Sequence, residues 1–154
     1  MKFQDKLIIK NEKEINMMSP LTWAYVGDSV YELYVRTYLA NNTNLNPHKM
    51  HVQSIRYVKA GAQAKILKEL NLNEEEKDIV RRGRNAQNHH LPKNASIEEY
   101  SYSTGFEALI GFLYLNKKDE RLSEILEECI RIASNECQWN LKMSQKFFNI
   151  CPKN

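Results

Sequence analysis

Leu21-Thr22-Trp23-Ala24-Tyr25-Val26-Gly27-Asp28-Ser29-Val30-Tyr31-Glu32-Leu33 is the stretch on which the fold turns. Ser19 and Pro20 just before it have the chemistry of a helix start: a capping hydroxyl, then a proline at the first helical position, where a missing N–H costs nothing. Apolar residues recur at Leu21, Ala24, Tyr25, Tyr31, Val35 and Tyr38, a helical spacing that runs out near Asn41-Asn42. Asp28 falls in register between Ala24 and Tyr31, in a stripe where a carboxylate is expensive. A second run, Tyr102-Ser103-Thr104-Gly105-Phe106-Glu107-Ala108-Leu109-Ile110-Gly111-Phe112-Leu113-Tyr114, does the same with Glu107. Burying an ionised carboxylate costs several kcal/mol unless a cation or strong hydrogen bonds compensate it. Two such acids in two apolar helices therefore ask for a shared compensator, and a divalent metal is the obvious candidate.

Helical patterning extends through the rest of the chain. The spacing predicts one long helix from about His48 to Leu70, with Val52, Ile55, Val58, Ala62, Ile66 and Leu70 on its apolar face and Lys49, Arg56, Lys59 and Gln63 on the other. Asn73 with Glu76, and Ser96 with Glu99, have the spacing of capping boxes. The first opens a short charged helix to about Gly83, and the second opens the helix of Glu107. Lys117-Lys118-Asp119 marks a turn before a final amphipathic helix built on Leu122, Ile125, Leu126, Cys129, Ile130 and Ala133. Residues 84–95, rich in Asn and broken by Pro92, read as a loop. No segment alternates apolar and polar residues between turn signals, so the expected class is all-α. The expected organisation is a leader over 1–18, one domain over 19–137 and a tail over 138–154.

Bulk properties narrow the function. At 154 residues the chain makes one ordinary domain, and 42% hydrophobic with 27% charged residues is the balance of a water-soluble fold. No apolar run nears the roughly 20 residues that span a bilayer, and Leu7-Ile8-Ile9 is too short for a signal peptide. We therefore expect a cytoplasmic protein with no membrane partner. The three cysteines show no metal-binding spacing and the four histidines form no zinc pair, so thiols are expected reduced and zinc is not expected. The net charge is +3, and its distribution says more than its size. Lys77, Arg81, Arg82, Arg84 and Lys93 face a single acid, Asp78, across residues 77–93, a candidate phosphate-facing surface.

Gly27 precedes Asp28 and Gly111 lies one turn beyond Glu107, so two helix backbones can approach where the acids sit. Magnesium binds oxygen ligands through one or two carboxylates plus substrate phosphate, which suits phosphodiester hydrolysis. From spacing alone a bland alternative stays open: acids in apolar helices are often hydrogen-bonded to Arg, Tyr or backbone, and Tyr25, Tyr31, Tyr34, Tyr102 and Tyr114 are available for that, most of them expected in the core. Glu32 shares the Asp28 face and either joins a metal, pairs with Arg36 or faces water. The arginines have a bland reading too, as a solvated helix end favoured by the helix dipole.

Tyr25-Val26-Gly27-Asp28-Ser29-Val30 and Phe106-Glu107-Ala108-Leu109-Ile110-Gly111 resemble the two signature helices of the ribonuclease III catalytic domain. With Arg81-Arg82-Gly83-Arg84-Asn85-Ala86 between them in so short a chain, the closer likeness is to the Mini-ribonuclease III branch, which lacks a double-stranded-RNA-binding domain. The likeness spans about Ser19 to Ala133. It implies the ribonuclease III helical fold, a homodimer, and Mg²⁺-dependent cleavage of double-stranded RNA. It also implies a role in maturing the large-subunit ribosomal RNA precursor, with a ribosomal protein as a further candidate partner. By the same resemblance, Asp28 and Glu107 are expected at the catalytic and metal-binding positions. The family's other acids match Leu21, Ala24 and Thr104 here, none of which is a carboxylate. That departure motivates an alternative, a non-catalytic RNA-binding or ribosome-associated protein of the same fold. Without a separate binding domain, duplex contact is expected from Arg81, Arg82, Arg84 and Lys93, because A-form RNA is read through phosphates and 2′-hydroxyls.

Overall fold

The computed structural model describes residues 3–86 and 96–148, with side chains described for 4–86 and 96–135. Lys93, Pro92 and the two histidines before them lie outside the described residues. Among those described there are eight helices and no strand: α1 Phe3–Leu7, α2 Glu12–Asn16, α3 Pro20–Asn42, α4 Pro47–Val58, α5 Ala60–Glu69, α6 Glu74–Asn85, α7 Ile97–Leu115 and α8 Asp119–Phe148. The expected all-α class holds. Both expected capping boxes are formed, and Ser19 Oγ accepts the Leu21 N–H at 3.2 Å as the cap of α3.

The Glu107 helix, α7, is the axis of the molecule. From Ser103 to Leu113 every residue is buried except Glu107, the pattern of a helix enclosed on all sides. Around it pack α3, α5, α6 and α8. The buried ridge of α3 is Trp23, Gly27, Tyr31, Val35 and Leu39, at a spacing of four. Tyr31 meets Phe106 edge-on at 4.8 Å between ring centres, and Trp23 meets Phe112 at 5.1 Å. This corrects the expected stripe. The ridge runs one residue to the side of Asp28, so the carboxylate stands at its edge and is exposed, while Gly27 takes the buried place. Tyr25, read as core, is 81% exposed.

Two glycine crossings fix α7 against its neighbours. A Cβ on Gly27 would lie 1.8 Å from the Glu107 carbonyl oxygen, and one on Gly111 would lie 1.8 Å from that of Trp23. No side chain fits between these backbones. The crossing of α6 is similar, with a Cβ on Gly105 only 2.9 Å from the Val80 carbonyl oxygen.

The single helix expected from His48 to Leu70 is two. Lys59 is extended (φ −64°, ψ 149°) and separates α4 from α5. Side chains satisfy the carbonyls freed by the break: Tyr31 Oη donates to Tyr57 O at 3.2 Å, and Gln63 Nε2 donates to Val58 O at 3.1 Å. The leader is tied down as well. Asn11 and Glu14 form a capping box for α2, Ile15 is buried, and the Ile15 carbonyl accepts the Trp23 indole N–H at 2.9 Å. At the other end the backbone of α8 stays helical to Phe148, past Cys137 where the apolar period fades.

An ion-pair network closes α6 against α8. Glu76 is buried, caps α6, and receives Arg121 Nε at 2.7 Å and Nη2 at 3.0 Å, while Nη2 also donates to Asn71 O at 2.9 Å. Burial pushes the Glu76 carboxyl up, but the Arg121 hydrogen bonds, the Asn73 N–H and the charges of Arg121 and Lys118 outweigh it, leaving its pKa below the usual value.

Candidate active site

Asp28 and Glu107 meet at the closest approach of α3 and α7. The Glu107 carbonyl touches the Gly27 backbone, so the crossing that excludes a side chain at Gly27 brings the next residue, Asp28, beside Glu107. Each acid registers the site. Burial raises Glu107, the Asp28 charge raises it further, and a Gln63 hydrogen bond offsets only part, leaving its pKa at about 8. Asp28 is also raised, by desolvation and then by the charge of Glu32. Neither acid has a salt-bridge partner among the described residues. Glu32 does: Arg36 Nη2 lies 2.6 Å from Glu32 Oε1, one of the three roles the sequence leaves open to it.

None of the tyrosines weighed as hydrogen-bond partners for the acids is seen bonding to them. Tyr31 spends its hydroxyl on Tyr57, and Tyr25 faces outward. Thr104, which the resemblance sets where an acid is expected, is buried and donates to the Tyr100 carbonyl of its own helix at 3.0 Å. Leu21 and Ala24 contribute no oxygen side chain. The residue that sequence reasoning missed is Gln63. Periodicity sets it on the polar face of one long helix, yet the break at Lys59 turns it inward to 1% exposure, where its amide donates to Val58 O at 3.1 Å and its side chain lowers the pKa of the neighbouring Glu107. The available signal was its setting, Ala60-Gly61-Ala62-Gln63-Ala64, a run of small residues that lets α5 lie close to α7.

The oxygen set suits a hard cation. Burial raises both carboxylates, the Asp28 charge raises Glu107 further, and a positive charge between them relieves both. Among the described residues no three His, Cys, Asp or Glu side chains form a cage, so water and substrate oxygens would complete the shell of an ion held by Asp28 and Glu107, as magnesium prefers.

The three described arginines lie on the last turns of α6, which continues to Asn85, two residues beyond the expected end. Arg81 pairs with Asp78, Arg82 stacks over the Trp23 ring at 4.6 Å, and Arg84 stacks over the Tyr102 ring at 3.7 Å. Stacking leaves the guanidinium N–H groups free to bind phosphate while holding the cation in place. Arg81, Arg82 and Asn85 also line an open cleft of about 470 Å³ with Ser19, Pro20 and Leu21, at the N-terminus of α3. Positive charge from side chains and from the helix end coincide there.

The family model for the Ribonuclease III domain matches residues 21–118, the span from α3 to the start of α8. The fold and this match define a ribonuclease III-type domain. Relatives narrow this further. The Mini-ribonuclease 3 of Symbiobacterium thermophilum is 51% identical over 112 residues, covering 71% of this chain and 86% of that protein. That of Staphylococcus aureus is 43% identical over 129 residues, covering 81% and 96%. A crystal structure of a Fusobacterium nucleatum protein superposes with a TM-score of 0.69 at 32% identity, over 77% of this chain and 96% of that one. The chain belongs to the Mini-ribonuclease 3 family and is an endoribonuclease.

Proposed function

We propose that this chain is a Mg²⁺-dependent endoribonuclease that cleaves double-stranded RNA as a homodimer, and that its cellular task is maturation of the large-subunit ribosomal RNA precursor in the cytoplasm. The observation that carries the chemistry is the acid pair: Asp28 and Glu107 share one helix crossing, and Glu107 is pushed to about 8 by burial and by Asp28. A site built to repel its own charge is a site for a cation. When bound, Mg²⁺ would supply Lewis-acid polarisation of the phosphodiester and an acidified water.

The chain's own groups do the rest. Asp28 and Glu107 hold the ion, and the rigid backbone contact at Gly27 and Gly111 fixes their spacing. Arg81, Arg82 and Arg84, with Lys93 as a further contact, bind phosphates on either side of the cut. Binding through phosphates makes recognition depend on duplex shape rather than on base sequence. Support for the dimer comes from apolar side chains left open on α3 and α4, namely Tyr25, Leu33, Val52 and Ile55, exposed by 45% or more.

The test incubates the purified chain with an end-labelled RNA duplex over a Mg²⁺ series, with chelator as control. Cleavage of both strands that rises with Mg²⁺ through the millimolar range and stops with chelator is the expected result. Tight duplex binding with no cleavage at any Mg²⁺ level would replace this reading with that of a non-catalytic RNA-binding protein, the alternative motivated by Leu21, Ala24 and Thr104.

A further inference from the structure

Gln63 is buried more completely than either acid, and its amide is polarised between two unlike surroundings. Nε2 donates to the Val58 carbonyl at 3.1 Å, and the side chain lies close enough to Glu107 to lower its pKa. Rotating the amide by half a turn would set its oxygen against the Val58 carbonyl, so the orientation is determined. Oε1 is then left without a hydrogen-bond donor among the described residues, although the side chain is 1% exposed. A buried amide oxygen with no donor is a rare feature and calls for a partner. An amide carbonyl is a hard oxygen of the kind that Mg²⁺ and its waters accept.

We propose that Gln63 is a third member of the site: Nε2, anchored on Val58, positions the Glu107 carboxylate, and Oε1 supplies an oxygen toward the cation that Asp28 and Glu107 hold. The inference rests on the reading of those acids as metal holders. It also gives the α4–α5 break a purpose, since the extended Lys59 turns Gln63 inward and offers the Val58 carbonyl that anchors it. Thr104 carries no carboxylate, and an uncharged oxygen from α5 restores part of the donor set without adding a third negative charge.

The two functions of the amide separate by substitution. Gln63→Leu removes donor and oxygen; Gln63→Glu keeps an oxygen at the same reach and loses the donor to Val58. Mn²⁺ binding to the full chain, read by electron paramagnetic resonance of free ion without RNA, measures the site apart from turnover. We expect Gln63→Leu to weaken Mn²⁺ binding by about tenfold or more, and Gln63→Glu to bind as the unsubstituted chain does or tighter. Equal loss in both variants, or loss in Gln63→Glu alone, would make Gln63 a structural strut and overturn the oxygen role. If Gln63→Leu fails to fold, Gln63→Glu decides: retained affinity supports the proposal and a tenfold loss refutes it. Asp28→Asn and Glu107→Gln, measured alongside, keep the two ideas apart. Undiminished Mn²⁺ binding in those variants rejects the metal reading itself, whereas loss there with unchanged binding in Gln63→Leu rejects only the role of Gln63.

Discussion

Glu107 shows how one residue links stability to function. Its folded pKa of about 8 lies above the ordinary 4.5, so the folded state holds a proton that the unfolded chain has lost between those values. The stability Glu107 contributes is therefore full below about pH 4.5 and is lost as pH rises through about 8. Glu107→Gln removes that dependence. In metal-free buffer above pH 8 the variant should be more stable by on the order of 1–3 kcal/mol, since a buried charge is replaced by a neutral isostere. Urea melts at pH 6 and pH 9 check it, the gain being larger at the higher pH. The same variant, and Asp28→Asn, should lose duplex cleavage by orders of magnitude with the fold kept. Single-turnover rates at saturating Mg²⁺ near those of the unsubstituted chain would remove both residues from the active site. A cation must displace the Glu107 proton, so Mg²⁺ affinity should climb with pH up to about 8 and then level off.

At the scale of elements, α3 and α7 are held at backbone contact by two glycines, and the acid pair inherits its geometry from that contact. Gly27→Ala sets a methyl 1.8 Å from a carbonyl oxygen of the opposite helix, which no rotamer relieves. The helices must separate. Expected is a loss of about 3 kcal/mol or more, at the upper end of overpacking penalties, accompanied by loss of cleavage even where the variant remains folded. Denaturant melts and cleavage rates together test this; a variant of normal stability and rate would mean the crossing can spread freely. Much of this level was legible beforehand. Caps at Ser19, Asn73 and Ser96 and the glycines beside each acid are local signals, and they marked the helix starts and the crossing correctly. The break at Lys59 was not legible, because no proline or glycine stands at it and the apolar period runs through. It is held by a bond from a distant residue, Tyr31 of α3, and by one from Gln63, five residues beyond Val58, and the first exists only once α3 has packed on α4.

For the whole molecule, the basic turns of α6 gather with the N-terminus of α3 on one surface, and that surface should carry the RNA. Each phosphate contact releases counterions, so affinity should fall steeply with salt, and each contact removed should flatten the slope by roughly 0.7–0.9. Replacing Arg81, Arg82 and Arg84 together by Ala should weaken binding to duplexes of unlike sequence alike. Because Arg82 and Arg84 lie on the rings of Trp23 and Tyr102, a small loss of stability should accompany it, on the order of 0.5–1 kcal/mol per stacked pair. Filter binding across a salt series decides the matter; an unchanged slope would move the RNA surface to the face of Lys49 and Lys59.

Sequence alone determined the helical class, the caps, and the glycines that let the helices of Asp28 and Glu107 cross, because each is a property of residues within a turn or two of one another. It also carried the family, through two motifs in order. Which residues stand inward was decided by tertiary packing. Periodicity sets Asp28 in the buried stripe, yet it stands at its edge, because α3 packs along a ridge of four-residue spacing that only the path of α7 defines. Periodicity sets Gln63 outward, yet it lies inside, because a helix break held in part by Tyr31 of α3 rotates everything after it. Periodicity reports a helix face relative to its own axis, and only the neighbouring helices decide where that face points.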